Sequence, residues 1–382
     1  MKKIAILGST GSIGVNTLDV ISRLNGRFKV TALSADSSIE LLAKQARVFR
    51  PKIVSVGSEA LARKANRLLP PSTAIVYGLP GLREIAARRD VDIIVFAISG
   101  TACLVPLLDA IENQKEIALA NKEALVSAGG LVMSLAAKKG VRIIPIDSEH
   151  SAIFQCIDGK SDYVSRIYLT GSGGPLLDVK RDKFDSLPLN YILKHPRWRM
   201  GKKITVDSAT MMNKGLEIIE AKHLFNISEK LIEVLIHPEA IVHSMVEFTD
   251  AAVIAQLGVP DMRLPIEYAL TFPERSKAIV DRIDFFKCRA LTFRRPDIKK
   301  FPCLALARAS AASGALAPAV LCASDEEAVK NYLEGKIGFS DIPKIIEKVL
   351  ARHRNVRNVI SVKDVLDADS WAREETGRLC YR

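Results

Sequence analysis

Short apolar runs alternate with amphipathic stretches along the first 146 residues. Such runs are typical of strands buried in a parallel sheet, and apolar residues spaced three and four apart predict helices between them. The predicted strands are 4–7, 29–34, 53–56, 92–98, 116–120 and 141–146, and the predicted helices include 39–49, 59–69, 104–111 and 122–138. This alternation predicts an α/β fold with a Rossmann-like, doubly wound parallel sheet and right-handed crossovers.

The pattern changes after residue 150. A helix is predicted over 152–157, and strands over 165–169, 204–206 and 251–257. Helical spacing returns in 304–313, 325–333, 342–353 and 361–373, where Ser340 and Ser361 are candidate start signals. The predicted organisation is a Rossmann-like domain over 1–147, an α+β domain over 148–284, a linker over 285–302 and a C-terminal helical domain over 303–382.

A glycine-rich turn, Gly8-Ser9-Thr10-Gly11-Ser12-Ile13-Gly14, connects the first strand to a helix. Glycines allow backbone N–H groups to approach a pyrophosphate, and the helix N-terminus adds partial positive charge. A tight turn that only happens to be rich in glycine is the alternative, but the position directly after an N-terminal strand favours a dinucleotide site. Asp36 follows the second strand, where an acidic residue usually binds a ribose 2′-hydroxyl, although it could equally cap the next helix.

Two carboxylates, Asp147 and Glu149, follow the predicted strand 141–146. They emerge at the C-terminal edge of the sheet, where ligands of open α/β sheets bind. Asn121-Lys122-Glu123 ends the preceding strand at the same edge, and a lysine there can hold a phosphate or polarise a carbonyl. The alternatives are a solvated turn with Asp147 or Ser148 as N-cap and an ordinary exposed lysine in a first helical turn.

Three stretches in the middle of the chain suit an anionic ligand. Residues 170–175 form a Gly/Ser turn after a strand, which could cradle an anion or be a plain hairpin turn. Residues 194–203 carry five Lys/Arg and Trp198, as a lid over an anionic substrate requires, although a partner-binding or nucleic-acid loop has the same composition. Asn213, Glu217 and Glu220 share one helical face beside Lys214, which suits a phosphate next to a cation or a solvated face.

Composition narrows the choice of ligand. The net charge of +12 suits nucleic acid or an anionic small molecule, but no long Lys/Arg block or nucleic-acid motif is present, so a small molecule is favoured. Six histidines lack zinc spacing, so oxygen ligands and Mg²⁺ or Mn²⁺ are expected. Six scattered cysteines predict reduced thiols, and the absence of a long apolar run predicts a cytoplasmic protein that contacts no membrane.

Taken in chain order, the motifs resemble those of the 1-deoxy-D-xylulose 5-phosphate reductoisomerase family. The matching segments are Gly8-Ser9-Thr10-Gly11-Ser12-Ile13-Gly14, Leu119-Ala120-Asn121-Lys122-Glu123, Pro145-Ile146-Asp147-Ser148-Glu149-His150, Thr170-Gly171-Ser172-Gly173-Gly174-Pro175, His195-Pro196, Met200-Gly201 and residues 206–217. The match runs in order across nearly the whole chain, and the block 206–217 is highly specific. The resemblance implies a homodimer that isomerises 1-deoxy-D-xylulose 5-phosphate and reduces it with NADPH to 2-C-methyl-D-erythritol 4-phosphate for isoprenoid synthesis.

The resemblance also implies roles for particular residues. The metal ligands are Asp147, Glu149 and Glu217, and these three with Lys122 are the catalytic residues. Substrate contacts fall to Lys122, Ser148, Glu149, Ser172, His195, Trp198, Ser208, Asn213, Lys214 and Glu217. Cofactor contacts fall to Gly8, Thr10, Gly11, Ser12, Ile13, Asn121, Glu123, Met200 and Gly201.

Two segments depart from the family pattern. Ala35-Asp36-Ser37-Ser38 stands where the family usually has glycine and often a basic residue, and an aspartate there would repel a 2′-phosphate; NADPH is still expected. Cys322-Ala323-Ser324-Asp325-Glu326 replaces an Asn-rich segment, with consequences expected only for local packing. Another metal-assisted NAD(P) oxidoreductase of a phosphorylated substrate is the alternative function.

Overall fold

A computed structural model of the protein describes residues 1–198, 200–354 and 361–381. The chain divides into two compact units. The first unit comprises residues 1–124, 132–151 and 261–281, and the second comprises 125–131, 152–260 and 282–382. The domain boundaries given above stay predictions.

The elements are numbered along the chain. The strands are β1 (Lys2–Leu7), β2 (Phe28–Ser34), β3 (Ile53–Val56), β4 (Ala74–Tyr77), β5 (Ile93–Phe96), β6 (Glu116–Leu119), β7 (Ile143–Pro145), β8 (Val164–Gly171), β9 (Ile232–Ile236), β10 (Val242–Phe248) and β11 (Val253–Leu257). The helices are α1 (Ser12–Arg23), α2 (Ile39–Phe49), α3 (Glu59–Ala65), α4 (Gly78–Ala87), α5 (Leu104–Glu112), α6 (Glu123–Lys139), α7 (Ser148–Ile157), α8 (Leu189–Ile192), α9 (Lys202–Thr210), α10 (Met212–Leu224), α11 (Arg263–Thr271), α12 (Pro302–Ser313), α13 (Ala317–Leu333), α14 (Asp341–Arg352) and α15 (Val362–Cys380).

The first unit contains a parallel sheet of seven strands among the described residues, in the order β4-β3-β2-β1-β5-β6-β7. Its central strand β1 is fully buried from Ile4 to Leu7, because helices cover both faces of a doubly wound sheet. The chain adds β2, β3 and β4 on one side of β1 and then returns to the other side with β5. This reversal brings the segments after β1, β5, β6 and β7 to one sheet edge, where ligands of such sheets bind. The predicted Rossmann-like fold is confirmed.

The second unit is built on a smaller mixed sheet with the described strand order β11-β10-β8-β9. β8 pairs parallel with β9 and antiparallel with β10, which also pairs antiparallel with β11. Ile167 and Leu169 of β8 belong to one hydrophobic core with Leu216 and Ile219 of α10. Helices α12 and α13 contribute to the same core, as the predicted helical C-terminal region requires.

The predicted strand over 204–206 is wrong, because these residues lie in helix α9. Ile204, Thr205 and Val206 have branched β-carbons, which favour a strand when read alone. In the fold, Thr205 and Val206 are buried, and the Thr205 hydroxyl donates to the Gly201 carbonyl oxygen at 2.8 Å. Tertiary packing therefore overrides the weak intrinsic preference of these residues.

Several predicted boundaries differ from the observed ones. α7 begins at Ser148 and not at 152, and α13 begins at Ala317 and not at 325. β9 was not predicted from the sequence. Ser361 does start α15, because its hydroxyl accepts from the Asp364 N–H at 3.2 Å while its own N–H donates to the Asp364 carboxylate at 2.8 Å. No helix in the described part of the chain combines the length and hydropathy that a membrane span requires.

Candidate active site

The glycine turn is shaped by close approach of the backbone. Gly8 has φ +89°, and a Cβ there would lie 2.4 Å from the Ala97 carbonyl oxygen, so only glycine fits. A Cβ on Gly14 would lie 2.3 Å from the Gly8 carbonyl oxygen, because α1 packs directly on the turn. Gly11 is the N-cap of α1, and Gly11 and Ser12 are exposed. The first N–H groups of α1 therefore face an accessible surface that suits an anionic ligand.

Two residues that the sequence did not single out hold this turn. Ser34, at the end of β2, accepts a hydrogen bond from the Gly8 N–H through its hydroxyl at 2.9 Å. Gln45 of α2 accepts from the Ser9 hydroxyl at 2.7 Å and donates to the Ser9 carbonyl oxygen at 2.8 Å. Neither contact has a sequence signature, because each joins elements that are far apart along the chain.

Asp36 lies in the turn after β2 and is exposed. Its carbonyl oxygen accepts from the Gly57 N–H at 2.9 Å, and a Cβ on Gly57 would lie 2.2 Å from an oxygen of the Asp36 carboxylate. The carboxylate thus lies over the end of β3. The N-cap of α2 is Ser38, so the alternative role of Asp36 as helix cap does not hold.

Asn121 connects the ends of two strands in the first unit. Its amide donates to the carbonyl oxygens of Ile98 at 2.9 Å and Gly100 at 3.0 Å, which follow β5. The same amide donates to the Glu123 carboxylate at 3.0 Å, and its oxygen accepts from the Ala124 N–H at 2.8 Å. These bonds fix the turn in which Lys122 stands.

Asp147 joins Lys122 to the start of α7. One of its carboxylate oxygens accepts from the Lys122 ammonium at 3.0 Å. The other accepts from the Glu149 N–H at 3.2 Å and lies 3.0 Å from Nδ1 of the buried His150. Asp147 therefore caps the helix, as the alternative interpretation had it, and also faces a buried lysine. Ser148 donates through its hydroxyl to the Glu149 carboxylate.

In the second unit, the Gly/Ser turn after β8 brings together predicted substrate residues. The Ser172 hydroxyl lies 3.0 Å from Nε2 of His195. Nδ1 of His195 accepts from the Trp198 N–H at 2.8 Å and the Arg197 N–H at 3.2 Å. Because Nδ1 accepts, the neutral tautomer carries its proton on Nε2 and donates it to Ser172. The histidine thus fixes the bend of the loop against the Gly/Ser turn.

Lys214 and Ser208 reach the same turn. A Cβ on Gly171 would lie 2.8 Å from Cε of Lys214, so the lysine side chain crosses directly over this glycine. A Cβ on Gly174 would lie 2.6 Å from the Ser208 carbonyl oxygen and 3.1 Å from its hydroxyl. Four predicted substrate residues therefore lie around the Gly/Ser turn: Ser172, His195, Ser208 and Lys214.

Glu217 lies on α10 beside two donors. Its side chain is fully buried and accepts from the Lys214 ammonium at 2.6 Å and from the Asn213 amide. Two donors on one carboxylate fix its orientation. The solvated helix face considered from the sequence does not apply, because Glu217 and Glu220 are both buried.

The basic loop before α9 is described except for Arg199, which lies outside the described residues. The Trp198 ring lies 6.2 Å from the His243 ring, and Arg197 donates to the Pro238 carbonyl oxygen at 2.8 Å. Met200 is partly buried, and Gly201 is the N-cap of α9. The loop therefore leads directly into the helix that carries Ser208.

Comparisons with known proteins agree on one family. The sequence profile described as "1-deoxy-D-xylulose 5-phosphate reductoisomerase" matches residues 4–129, and the profiles of its C-terminal domains match 143–225 and 257–375. Curated enzymes of that name from Geobacter metallireducens and Acetivibrio thermocellus are 49% and 52% identical. The alignments cover 99% of both chains for the first enzyme and 98% of both for the second.

Solved structures agree with the sequence comparisons. The Zymomonas mobilis 1-deoxy-D-xylulose 5-phosphate reductoisomerase in complex with NADPH superimposes with a TM-score of 0.92 at 41% identity, over 99% of each chain. A second solved structure, described as DOX-P reductoisomerase in complex with NADPH, fosmidomycin and magnesium, gives a TM-score of 0.94 at 39% identity, covering 100% of this chain and 98% of the other.

Proposed function

The chain belongs to the 1-deoxy-D-xylulose 5-phosphate reductoisomerase family, and we infer that it converts 1-deoxy-D-xylulose 5-phosphate to 2-C-methyl-D-erythritol 4-phosphate with NADPH and a divalent metal ion. This reaction makes it an NADPH-dependent oxidoreductase of the mevalonate-independent isoprenoid pathway. The observation that carries the inference most directly is the near-complete coverage of enzymes of that name at about half identity.

Asp147, Glu149 and Glu217 are the proposed metal ligands. Mg²⁺ and Mn²⁺ prefer oxygen donors, and all three side chains are carboxylates. Relatives of known structure bind magnesium. A cation held by these residues would supply Lewis-acid chemistry, polarising the substrate carbonyl and stabilising negative charge on neighbouring oxygens. Lys122 holds the Asp147 carboxylate in place through its contact at 3.0 Å, and Asn213 and Lys214 hold that of Glu217.

The turn around Ser172 is proposed to bind the substrate's phosphate. Ser172, Ser208 and Asn213 offer neutral donors, and Lys214 supplies positive charge close to Gly171. The Lys214 ammonium has three N–H donors, so it can bind Glu217 and a phosphate oxygen together. His195 and Trp198 of the loop cover this end of the substrate and exclude water from the reacting carbons.

NADPH is proposed to bind at the glycine turn and the adjacent strand ends. The N-terminus of α1 faces the pyrophosphate, which is held by the residues of the turn: Gly8, Thr10, Gly11, Ser12 and Ile13. Further cofactor contacts are proposed for Asn121, Glu123, Met200 and Gly201, with Lys122 directed to the substrate. NADPH bound there would supply the hydride, and the chain's contribution would be to orient the cofactor and keep water away.

The protein is proposed to act as a homodimer in the cytoplasm. Edge strand β11 exposes about half of Val253 and Ile254, 51% and 46% respectively. Exposed apolar residues on an edge strand are typical of a surface that another chain covers. Six cysteines without disulfide spacing suit a reducing compartment.

The test is oxidation of NADPH, followed by absorbance, after addition of 1-deoxy-D-xylulose 5-phosphate. We expect turnover with Mg²⁺ or Mn²⁺, none after chelation with EDTA, and inhibition by fosmidomycin. Absence of oxidation with either metal would refute the proposed function and favour another metal-assisted NAD(P) oxidoreductase of a phosphorylated substrate.

A further inference from the structure

Lys203 stands where the basic loop becomes helix α9, two residues after Gly201. Its ammonium lies 2.6 Å from a carboxylate oxygen of Asp207, one turn further along α9. It also lies 2.7 Å from a carboxylate oxygen of Asp325, which belongs to α13 and is 122 residues away in the chain. One cation therefore bridges two carboxylates on two helices.

Lys203, Asp207 and Asp325 form what we call the acid–lysine cluster. Both of its carboxylates are buried. Asp207 is 1% exposed and Asp325 is fully buried. Among the described residues, the second carboxylate oxygen of Asp325 has no hydrogen-bond partner. Burial together with the nearby Asp325 charge raises the pKa of the Cys303 thiol well above its ordinary range. Buried carboxylates are costly without a cation, so the position of Lys203 is strongly constrained.

The cluster fixes the position of the start of α9 and of the loop that leads into this helix. Thr205 completes the first turn by bonding back to the Gly201 carbonyl oxygen, so the turn moves as one piece with the end of the loop. Ser208 follows Asp207 directly and approaches the Gly/Ser turn at Gly174. Fixing Lys203 to α13 therefore sets the rotation of α9, and with it the position of Ser208 and the direction of the loop.

We propose that Lys203 and Asp325 are positioning residues for the substrate's phosphate end, acting through α9 on Ser208 and on the loop that carries His195. This inference rests on the proposed function. It also gives the departure at Cys322-Ala323-Ser324-Asp325-Glu326 a role beyond local packing, because Asp325 reaches the helix that carries a phosphate-binding residue. Residues that hold a binding group within a fraction of an ångström strongly affect substrate affinity.

The test compares Lys203→Gln with the wild-type enzyme in steady-state kinetics. Glutamine is shorter than lysine by about one bond and carries no charge, so it cannot bridge both carboxylates. We expect KM for 1-deoxy-D-xylulose 5-phosphate to rise about tenfold, kcat to change less than about threefold, and KM for NADPH to stay unchanged. Lys203→Arg, which can bridge both carboxylates, should restore KM to within about twofold.

A double variant separates positioning from simple charge balance. Lys203→Gln with Asp325→Asn restores the net charge of the cluster, so it should fold even where the single variant does not. Its KM for the substrate should remain raised, because the bridge to α13 is still lost. The matched control is Lys330→Gln on α13, whose exposed ammonium pairs with Glu327 on the same helix, and its KM should equal that of the wild type.

Tryptophan fluorescence gives a readout that does not depend on turnover. In a Trp371→Phe background, Trp198 is the one tryptophan left, so titration with fosmidomycin reports binding at the loop. We expect weaker fosmidomycin binding in Lys203→Gln and normal binding in Lys330→Gln. A wild-type KM in folded Lys203→Gln, or its full recovery in the double variant, would overturn the inference. Absence of turnover in the wild type would instead refute the proposed function.

Discussion

Glu217→Gln is the substitution that most directly examines the proposed metal site. It changes one oxygen to an amide group with almost no change in shape. The amide retains one acceptor, so its NH₂ group must face either Asn213 or Lys214, both of which are donors. It also removes the negative charge that faces the buried Lys214 ammonium at 2.6 Å.

The expected loss has two parts. Removing one partner of a buried ion pair costs about 3–5 kcal/mol of folding stability. Loss of a metal ligand removes several kcal/mol of charge stabilisation from the reaction, and about 4 kcal/mol corresponds to roughly a thousandfold in kcat. Binding of NADPH should be retained, because the glycine turn belongs to the first unit and Glu217 to the second.

The assay combines three measurements on the purified variant. Thermal unfolding shows whether the variant is folded at the assay temperature, NADPH fluorescence measures cofactor binding, and NADPH absorbance measures turnover with saturating Mg²⁺. Glu247→Gln is the matched control, because it makes the same change on β10, where the carboxylate accepts from the Tyr168 hydroxyl at 2.6 Å. Turnover of folded Glu217→Gln within about tenfold of the wild type would refute the metal assignment.

Two further predictions concern pH and the cofactor. Burial lowers the pKa of His223 to about 4 from its ordinary 6.5. As the pH drops from 6.5 towards 4, the imidazole is protonated in the unfolded chain before it is protonated in the folded one. The free energy of unfolding therefore falls over this range, by at most about 3 kcal/mol. His223→Asn should reduce this acid-dependent loss in chemical denaturation, and an unchanged pH dependence would contradict the assignment. Asp36→Ser should lower KM for NADPH several-fold at low ionic strength and less at high salt, because an exposed carboxylate repels the 2′-phosphate through screened interactions. An unchanged KM would mean that Asp36 does not face the cofactor's phosphate.

The fold of the first unit was largely predictable because its signals are local. Apolar runs and the glycine turn predict buried strands and a strand-to-helix turn without reference to distant residues. The reversal of strand order then follows from the general rules of parallel sheets, and it places Gly8, Asn121 and Asp147 at one edge. The C-terminal helices were found for the same reason, with Ser361 confirmed as the start of α15.

The second unit was less predictable because its decisive contacts join distant segments. Branched residues at 204–206 favoured a strand, but burial of Val206 in the core made them helical. The bond between Ser172 and His195 and the passage of Lys214 over Gly171 depend on how β8, α10 and the loop pack. The resemblance to family motifs identified these residues, but their spacing along the chain does not predict the distances between their side chains.

Motifs and periodicity are properties of neighbouring residues, so the family, the parallel sheet and the chemical character of the site could be inferred from the amino-acid sequence. Other contacts emerge only in the folded chain. Lys203 meets Asp325, Ser34 and Gln45 hold the glycine turn, and Asp147 both caps α7 and faces Lys122. These contacts form because a buried charge or hydrogen-bonding group must find its partner in space, and packing sets which partner lies within reach.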